Sequence, residues 1–248
     1  MTMPTTTSAR ARCRLHVLGG FRVTYEEEAL AVSYGGRRVL GYLAVLHRNQ
    51  PATRTAIAAR LWPDAPPARA SSTLRSVLWR LPRPRGRTLV DARAGTAWLG
   101  PHVEVDLWES EALAETLARL DPSDAVATDL TVLEHDLLPD WDEDWLDVDR
   151  ESHRQLRLHA LERLAERSCG QGHYEDALAA GLRAVRAEPL RESAQRAVIA
   201  VHLAEGNQVE AVRQYRHYRH LLAAELGLPP SPAMSRLIEP VLGDRTGW

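Results

Sequence analysis

Side chains that can bind nucleic-acid bases share one face of a helix predicted over residues 67–81. The apolar residues of this segment recur at helical spacing, and hydroxyl and arginine side chains occupy the opposite stripe and its shoulder. A helix fits the major groove of DNA, and an arginine there can grip guanine O6 and N7, which contributes about 1–3 kcal/mol of base discrimination. The candidate base-reading residues are Arg69, Ser72, Thr73, Arg75, Ser76, Trp79 and Arg80.

A second set of residues, outside this helix, suits contacts to phosphate, which position a protein without reading sequence. Thr53 is a favourable N-cap residue, and the start of a helix offers N–H groups to an anion. Each arginine taken singly is equally well explained as a surface charge, so it is the set that favours nucleic acid. The candidate phosphate and hairpin contacts are Arg37, Arg38, Thr53, Arg54, Arg60 and Arg93.

Charge is sorted along the chain. Residues 1–100 hold 16 arginines against 5 carboxylates, a net charge of +11, and residues 101–248 hold 15 against 28, a net charge of −13. A basic half attracts polyanions, so nucleic acid is the leading partner. The acidic half would be repelled by the same polymer, and we expect it to face another protein or a second copy.

Several classes of chemistry are excluded by what the chain lacks. All 31 basic residues are arginine, so a Walker-type, Schiff-base or protein-kinase lysine is absent. Cys13 and Cys169 are too few for a disulfide framework and lack metal-type spacing, which favours a reducing cytoplasm. His217 and His220 lie three residues apart without an apparent third ligand, which favours a surface helix. We expect no catalytic site, no metal and no cofactor.

The elements before the candidate base-reading helix are a small sheet and a helix. Residues 14–32 alternate between apolar and polar around two glycines, which predicts two or three short antiparallel strands. Helical spacing then predicts a helix over residues 37–47, opened by Gly35 and Gly36.

The elements around the candidate base-reading helix complete a winged-helix order. A second helix is predicted over residues 54–62, and prolines end the third helix, 67–81. Residues 88–91 and 96–100 predict a hairpin with Gly95 at a position that needs a positive φ. This placement favours base reading over a merely solvated face, which would be the better explanation for an isolated helix.

The acidic half is predicted to be helical, with an internal repeat. Short helices are predicted over residues 107–119 and 128–138, and a long one over 145–169. GHYEDAL at 172–178 recurs as GNQVEAV at 206–212, an offset of 34 residues. This is the tetratricopeptide period, in which helix pairs stack because one pair cannot bury its own apolar face.

An acidic run at residues 140–149 allows two interpretations. It could form an activation surface, or its acids could cap and solvate the long helix while Trp141 and Trp145 anchor a core. The second interpretation is preferred, because acids favour helix N-termini.

Several motifs occur together in the order found in one family. The chain resembles SARP-type transcriptional activators, the actinobacterial regulators of antibiotic and secondary-metabolite pathways, over residues 14–242. The resemblance implies an OmpR-like winged helix joined to a bacterial transcriptional activator domain that binds promoter direct repeats and recruits RNA polymerase. The motifs are LWPD at 61–64 with the ARASSTLRSVLWRL helix, EVDLW at 104–108, LLPDWDEDWL at 137–146, RQLRLHALERLA at 154–165 and ELGLPPSP at 225–232.

Two departures from the family pattern concern the candidate interface. The third helix ends at Pro82 where many relatives run on, so contacts beyond Arg80 are not expected from it. The hairpin carries Ala-Gly-Thr-Ala-Trp where relatives commonly have Gly-Gly-Tyr-Arg, and Arg93 is its only clear cation. We therefore expect weak insertion of the wing into the minor groove.

The sequence thus predicts a mainly α chain with a small α+β part. We expect a flexible tail over residues 1–13, a winged helix-turn-helix domain over 14–104 and an all-α tetratricopeptide-like domain over 105–248. The leading hypothesis is a cytoplasmic, nucleoid-associated activator, not an enzyme. Its partners would be double-stranded promoter DNA, RNA polymerase through a sigma factor or other subunits, and further copies of itself as a homodimer or side by side, with no membrane. The alternatives are a repressor, or a protein-interaction adaptor with a degenerate winged helix.

Overall fold

The computed structural model describes residues 13–48, 50–119 and 130–243, and its contacts divide the chain into two compact units. The first unit runs to Ser110 and includes His135–Glu151, which we call the strap. The second unit takes the described part of Glu111–Glu134 and the chain from Ser152 onward. The boundaries of these units differ from the single domain boundary that the sequence predicts after residue 104. The expected mainly α architecture with a small strand part is confirmed.

The first unit opens with a four-stranded sheet, in which residues 28–29, 22–25, 13–16 and 103–105 lie side by side in that order. The antiparallel strands β1 Cys13–His16, β2 Arg22–Tyr25 and β3 Glu28–Ala29 match the expected short strands. The parallel neighbour of β1, β7 Val103–Val105, was not predicted. Cys13 is buried in β1, so the predicted tail is wrong at its last residue, and the rest of it lies outside the described residues.

The first helix, α1, spans Tyr34–Leu46 and begins earlier than predicted. Ser33 is the N-cap, and its Oγ accepts a hydrogen bond from Gly36 N at 3.3 Å. Gly35 and Gly36 therefore lie inside the first turn rather than opening the helix. A Cβ on Gly36 would lie 2.8 Å from Val32 Cγ1, so glycine permits the close approach there.

The helix pair that follows was predicted within a residue at each end. α2 is Arg54–Leu61, and its N-cap Thr53 accepts a hydrogen bond from Ala56 N at 3.3 Å. α3 is Pro67–Arg80, which buries Ala70 and Leu74 in the core of the first unit. The chain leaves α3 through a short 3-10 helix, Pro84–Gly86.

The wing is a three-stranded sheet of order β4-β6-β5. β5 Val90–Arg93 and β6 Thr96–Leu99 form the hairpin, and Gly95 has the expected positive φ of 82°. The first strand lies two residues later than predicted, because Ala92 and Arg93 pair with Ala97 and Thr96 instead of belonging to the connection. Ala94 also has a positive φ, 49°, as a two-residue turn between twisted strands requires. The short strand β4 Ala52–Thr53 was not predicted.

The strap packs into the core of the first unit. Leu137 bridges to Leu18, Leu138 N donates to Val17 O at 2.8 Å, and Trp145 and Leu146 are buried. The predicted helix over residues 128–138 is therefore wrong where the structure describes the chain from residue 130. That stretch holds only a 3-10 helix, Thr131–Leu133, before the strap, which has a further 3-10 helix, Asp144–Leu146. Burial of apolar side chains against the sheet and α1 outweighs the helical spacing.

Asp106, which follows β7, forms hydrogen bonds to the backbone just after β1. Its carboxylate accepts hydrogen bonds from the backbone N–H of Val17 at 2.9 Å, of Leu18 at 3.2 Å and of Leu107 at 2.8 Å. Burial raises the pKa of this carboxyl, and the three hydrogen bonds oppose that rise.

The second unit is helical and keeps the 34-residue period. The helices α5 (Asp147–Gly170) and α7 (Glu192–Ala204) end 34 residues apart, and α6 (Tyr174–Ala187) and α8 (Gln208–Leu226) begin 34 residues apart. Gly172 and Gly206 turn the chain with positive φ at equivalent positions, so the repeat is confirmed. The helices are α4 Asp106–Arg119, α5 Asp147–Gly170, α6 Tyr174–Ala187, α7 Glu192–Ala204, α8 Gln208–Leu226 and α9 Pro232–Leu242, of which α4 and α5 begin in the first unit.

A buried glutamine marks the degenerate position of the repeat. Gln195 occupies the position equivalent to the buried Leu161 and is itself fully buried. Its Nε2 donates to Pro189 O at 2.7 Å, and its Oε1 accepts from Gln214 Nε2 at 2.7 Å. Satisfied hydrogen bonds allow a polar side chain where the first repeat has leucine.

Candidate nucleic-acid interface

The exposed face of α3 carries the predicted base-reading residues. Six of them are exposed and Thr73 is half-buried. Trp79 is 76% exposed, which is unusual for a large apolar ring, and α3 contains no Asp or Glu from Pro67 to Arg80. Ala70 and Leu74 hold the opposite face in the core, so the helix presents a fixed polar surface. The six exposed residues are Arg69, Ser72, Arg75, Ser76, Trp79 and Arg80.

A groove of about 410 Å³ lies between α3 and the wing, and we call it the wing-side groove. Among the described residues, its charged lining is Arg54, Arg75, Arg83 and Asp91, an excess of two positive charges. Thr88 Oγ1 donates to Asp91 at 2.6 Å. The Nε of Arg54 is buried and has no hydrogen-bond partner in the part of the chain that the structure describes. The excess positive charge of this lining favours an anion.

A second groove, of about 740 Å³, lies on the other side of α3 against the strap, and we call it the strap-side groove. Within the described ranges its lining carries three arginines and four carboxylates, a net charge of −1. This charge disfavours a polyanion, although the groove adjoins the candidate base-reading helix. The charged residues are Arg38, Arg60, Arg69, Asp64, Asp142, Glu143 and Asp144, and Thr73 lies beside them.

Arg38 is engaged inside the strap-side groove. Its Nε and Nη2 both donate to the Glu143 carboxylate, the second at 2.8 Å, in a forked ion pair. The side chains are 16% and 8% exposed, and Glu143 also accepts from Trp145 Nε1 at 2.9 Å. A phosphate would have to displace Glu143 to reach Arg38.

Trp145 and Tyr42 form the apolar support beneath this ion pair. Their rings meet edge to face with centroids 5.3 Å apart, and Trp145 contacts Trp141 in the same manner at 6.5 Å. Burial raises the pKa of Tyr42, and the charge of Arg60 opposes the rise. The tryptophans of the acidic run are core anchors, as the preferred interpretation of the sequence had it.

The remaining candidate phosphate residues are spread over the first unit. Arg37 is exposed, and its Nε donates to Val32 O at 3.2 Å. Arg93 is exposed on β5 beside the wing turn. At the start of α2, the N–H groups of Arg54 and Ala56 already donate to Gly95 O and Thr53 Oγ1. The helix N-terminus thus offers fewer free donors than the sequence suggested.

The spatial distribution of charge differs from its distribution along the sequence. The strap carries eight carboxylates and one arginine, and it belongs to the unit that holds the basic half. Over its described residues, 13–48, 50–110 and 135–151, the first unit holds 15 arginines against 16 carboxylates, a net charge of −1. Attraction of a polyanion therefore depends on local surfaces such as the wing-side groove.

Sequence reasoning missed part of both grooves. Thr88 joins the wing-side groove only because the hairpin packs beside α3, and Arg83 joins it although contacts beyond Arg80 were not expected from the helix. The acids of the strap line the strap-side groove because the fold brings Glu143 next to Arg38, which is 105 residues away in the sequence. No short-range pattern marks such a pair.

Neither a metal site nor a membrane span emerges from the parts of the chain that the structure describes. No group of three or more His, Cys, Asp or Glu side chains there is placed to hold a metal ion. The helices within residues 13–48, 50–119 and 130–243 lack the length and apolar content that a bilayer crossing requires.

Comparison with known proteins agrees with the resemblance found in the sequence. The family model of the bacterial transcriptional activator domain matches residues 105–242. Regulatory protein AfsR of Streptomyces griseus is 28% identical over 238 residues, and AfsR of Streptomyces coelicolor is 26% identical over 238 residues. Each alignment covers 92% of this chain but 24% of the relative, so the chain spans about a quarter of the length of these curated relatives.

A solved structure supports the fold. The chain is similar to Mycobacterium tuberculosis EmbR in complex with low affinity phosphopeptide, with a TM-score of 0.68 and 21% identity. The match covers 94% of this chain and 65% of that one. At this identity the likeness concerns architecture.

Proposed function

Because the chain belongs to the SARP-type family of transcriptional activators with a bacterial transcriptional activator domain, we propose that it binds promoter DNA sequence-specifically and activates transcription. The observation that carries the proposal is the exposed face of α3, which lacks carboxylates and borders a groove with two excess positive charges. A helix of this kind fits the major groove, and the neighbouring cations suit the DNA backbone.

Base reading is assigned to the centre of the α3 face. Ser72 and Ser76 lie between the two grooves by helical spacing, and Arg75 lies at the wing-side edge. Arg75 would bind guanine through O6 and N7, and the exposed ring of Trp79 offers apolar contact to a thymine methyl. Arg69, Thr73 and Arg80 extend the same face.

Phosphate contact is assigned first to the wing-side groove. Arg54 has a buried Nε without a hydrogen-bond partner among the described residues, and Arg83 adds a second cation in the same groove. Arg37, Thr53 and Arg93 are exposed outside it and can extend the contact along the backbone. Arg38 and Arg60 line the strap-side groove and contribute less.

The proposal extends to the partners of the chain and to its target genes. We propose that the chain acts at the nucleoid on direct repeats upstream of a promoter, as a homodimer or as side-by-side copies. The second unit would contact RNA polymerase through its sigma factor or another subunit. The target genes would belong to an antibiotic or other secondary-metabolite pathway. Membership of the family supports these expectations.

Selection from a random duplex library, using the purified chain, tests DNA binding and yields the operator. The logarithm of the affinity for that operator should fall with the logarithm of salt concentration with a slope of about −4 to −7, as for several engaged phosphates. No enriched sequence together with a slope near zero would overturn the DNA-binding proposal.

A reporter gene with the selected operator upstream of a weak promoter tests activation. Expression should rise with the full chain and be lower with Arg75→Ala, because the operator would be held less tightly by about 1–3 kcal/mol. Occupied operators with lowered expression would instead identify a repressor.

A further inference from the structure

The strap brings exposed carboxylates to one side of the helix that would read DNA. Asp142 and Asp144 are exposed on the strap-side groove, which Arg60 of α2 and Arg69 of α3 also line. These carboxylates offset the positive charge of the arginines that line the same groove, and they disfavour a phosphate there.

The intervening residue holds the two carboxylates in place. Glu143 pairs with Arg38 and accepts a hydrogen bond from Trp145 Nε1, while its neighbours on either side stay exposed. Trp145 is itself buried in the core of the first unit. Asp142 and Asp144 therefore have fixed places on the groove rather than those of a freely moving acidic loop.

We propose that Asp142 and Asp144 are specificity-determining residues that exclude the DNA backbone from the strap side of α3. The inference rests on the proposed DNA binding. A non-specific complex is held by phosphate contacts alone and can form in several orientations. Carboxylates on one flank penalise the orientations in which the backbone crosses that flank, whereas the operator complex places the backbone in the wing-side groove. Discrimination then arises by repulsion of the wrong complexes.

The test is the affinity of the full chain carrying both Asp142→Asn and Asp144→Asn for the selected operator and for a random-sequence duplex. The doubly substituted chain should bind the random duplex about three- to tenfold more tightly than the unaltered chain does, since each exposed charge contributes modestly. Its salt slope should steepen by about 0.9 to 1.8, as for one or two further phosphates. The operator affinity should change by less than about twofold, so the specificity ratio falls.

The matched control is the pair Asp140→Asn and Asp147→Asn, which removes the same charge from the same strap. Asp140 approaches Gly20, and Asp147 pairs with Arg150 at 3.7 Å, so neither lines the groove. The control should leave both affinities unchanged. Equal gains for operator and random duplex, no gain for either, or the same gain in the control would overturn the proposal. Failure of the unaltered chain to bind any duplex would instead overturn the DNA-binding proposal on which it rests.

Discussion

The two grooves beside α3 carry net charges of opposite sign. The wing-side groove has three arginines and one aspartate in its described lining, and the strap-side groove has three arginines and four carboxylates. The difference comes from a segment that is distant in sequence, since Glu143 lies 105 residues from Arg38. A count of arginines near a candidate base-reading helix therefore does not give the charge of the surface beside it, because the fold also brings distant acids there.

The largest effect on stability is expected from removing Trp145, the buried ring that anchors the strap beside the strap-side groove. Trp145→Ala should lower the free energy of unfolding by about 3–5 kcal/mol, because a large buried ring leaves a cavity between Tyr42 and Trp141. Chemical denaturation measures the change. Val148→Ala, at a side chain 75% exposed, should shift stability by less than about 0.5 kcal/mol. Equal effects of the two substitutions would show that the strap does not belong to the core.

A smaller loss of stability is expected where the strap crosses α1. A Cβ on Gly41 would lie 2.8 Å from a ring atom of Trp141, so Gly41→Ala should cost about 1–3 kcal/mol through overpacking. Gly170→Ala serves as the control, because an added Cβ there meets nothing within 4 Å among the described residues. Thermal unfolding of the two variants should separate them, and an unchanged midpoint for Gly41→Ala would contradict the close packing of the strap.

On the DNA side of the comparison, Arg75→Ala should lose base preference at one position of the operator, at a cost of about 1–3 kcal/mol. Arg54→Ala should weaken binding to every sequence alike, because phosphate contacts carry no sequence information. Competition among single-base operator variants distinguishes the two patterns. A uniform loss with Arg75→Ala would remove it from the base-reading set.

Local signals in the sequence were sufficient for much of the first unit. Thr53 and the prolines after α3 define helix ends by capping and by missing N–H groups, and Gly95 marks the wing turn. The 34-residue offset predicts the helix pairs of the second unit because each pair must bury its apolar face on the next.

The elements that were predicted wrongly or missed depend on contacts between residues that are distant in the sequence. Residues 128–138 have helical spacing, yet from residue 130 the described chain becomes a 3-10 helix and then the strap, because Leu137 and Leu138 gain more from the core. The two- and three-residue strands β4 and β7 exist only as neighbours of longer strands. The sequence also gives no sign that the candidate arginines lie on surfaces of different charge. The fold places Arg54 and Arg75 on the wing-side groove, and Arg38, Arg60 and Arg69 on the strap-side groove.

The most direct test of this account compares two arginines at the two ends of α2. Arg54 lines the wing-side groove and Arg60 the strap-side groove, so the alanine variants remove the same charge from the same helix. The measurement is the salt dependence of operator affinity for Arg54→Ala, Arg60→Ala and the unaltered chain. We expect Arg54→Ala to reduce the magnitude of the slope by about 0.9, as for one lost phosphate contact, and Arg60→Ala to leave it nearly unchanged. The reverse order, or equal losses from both, would contradict the assignment of the DNA backbone to the wing side of α3.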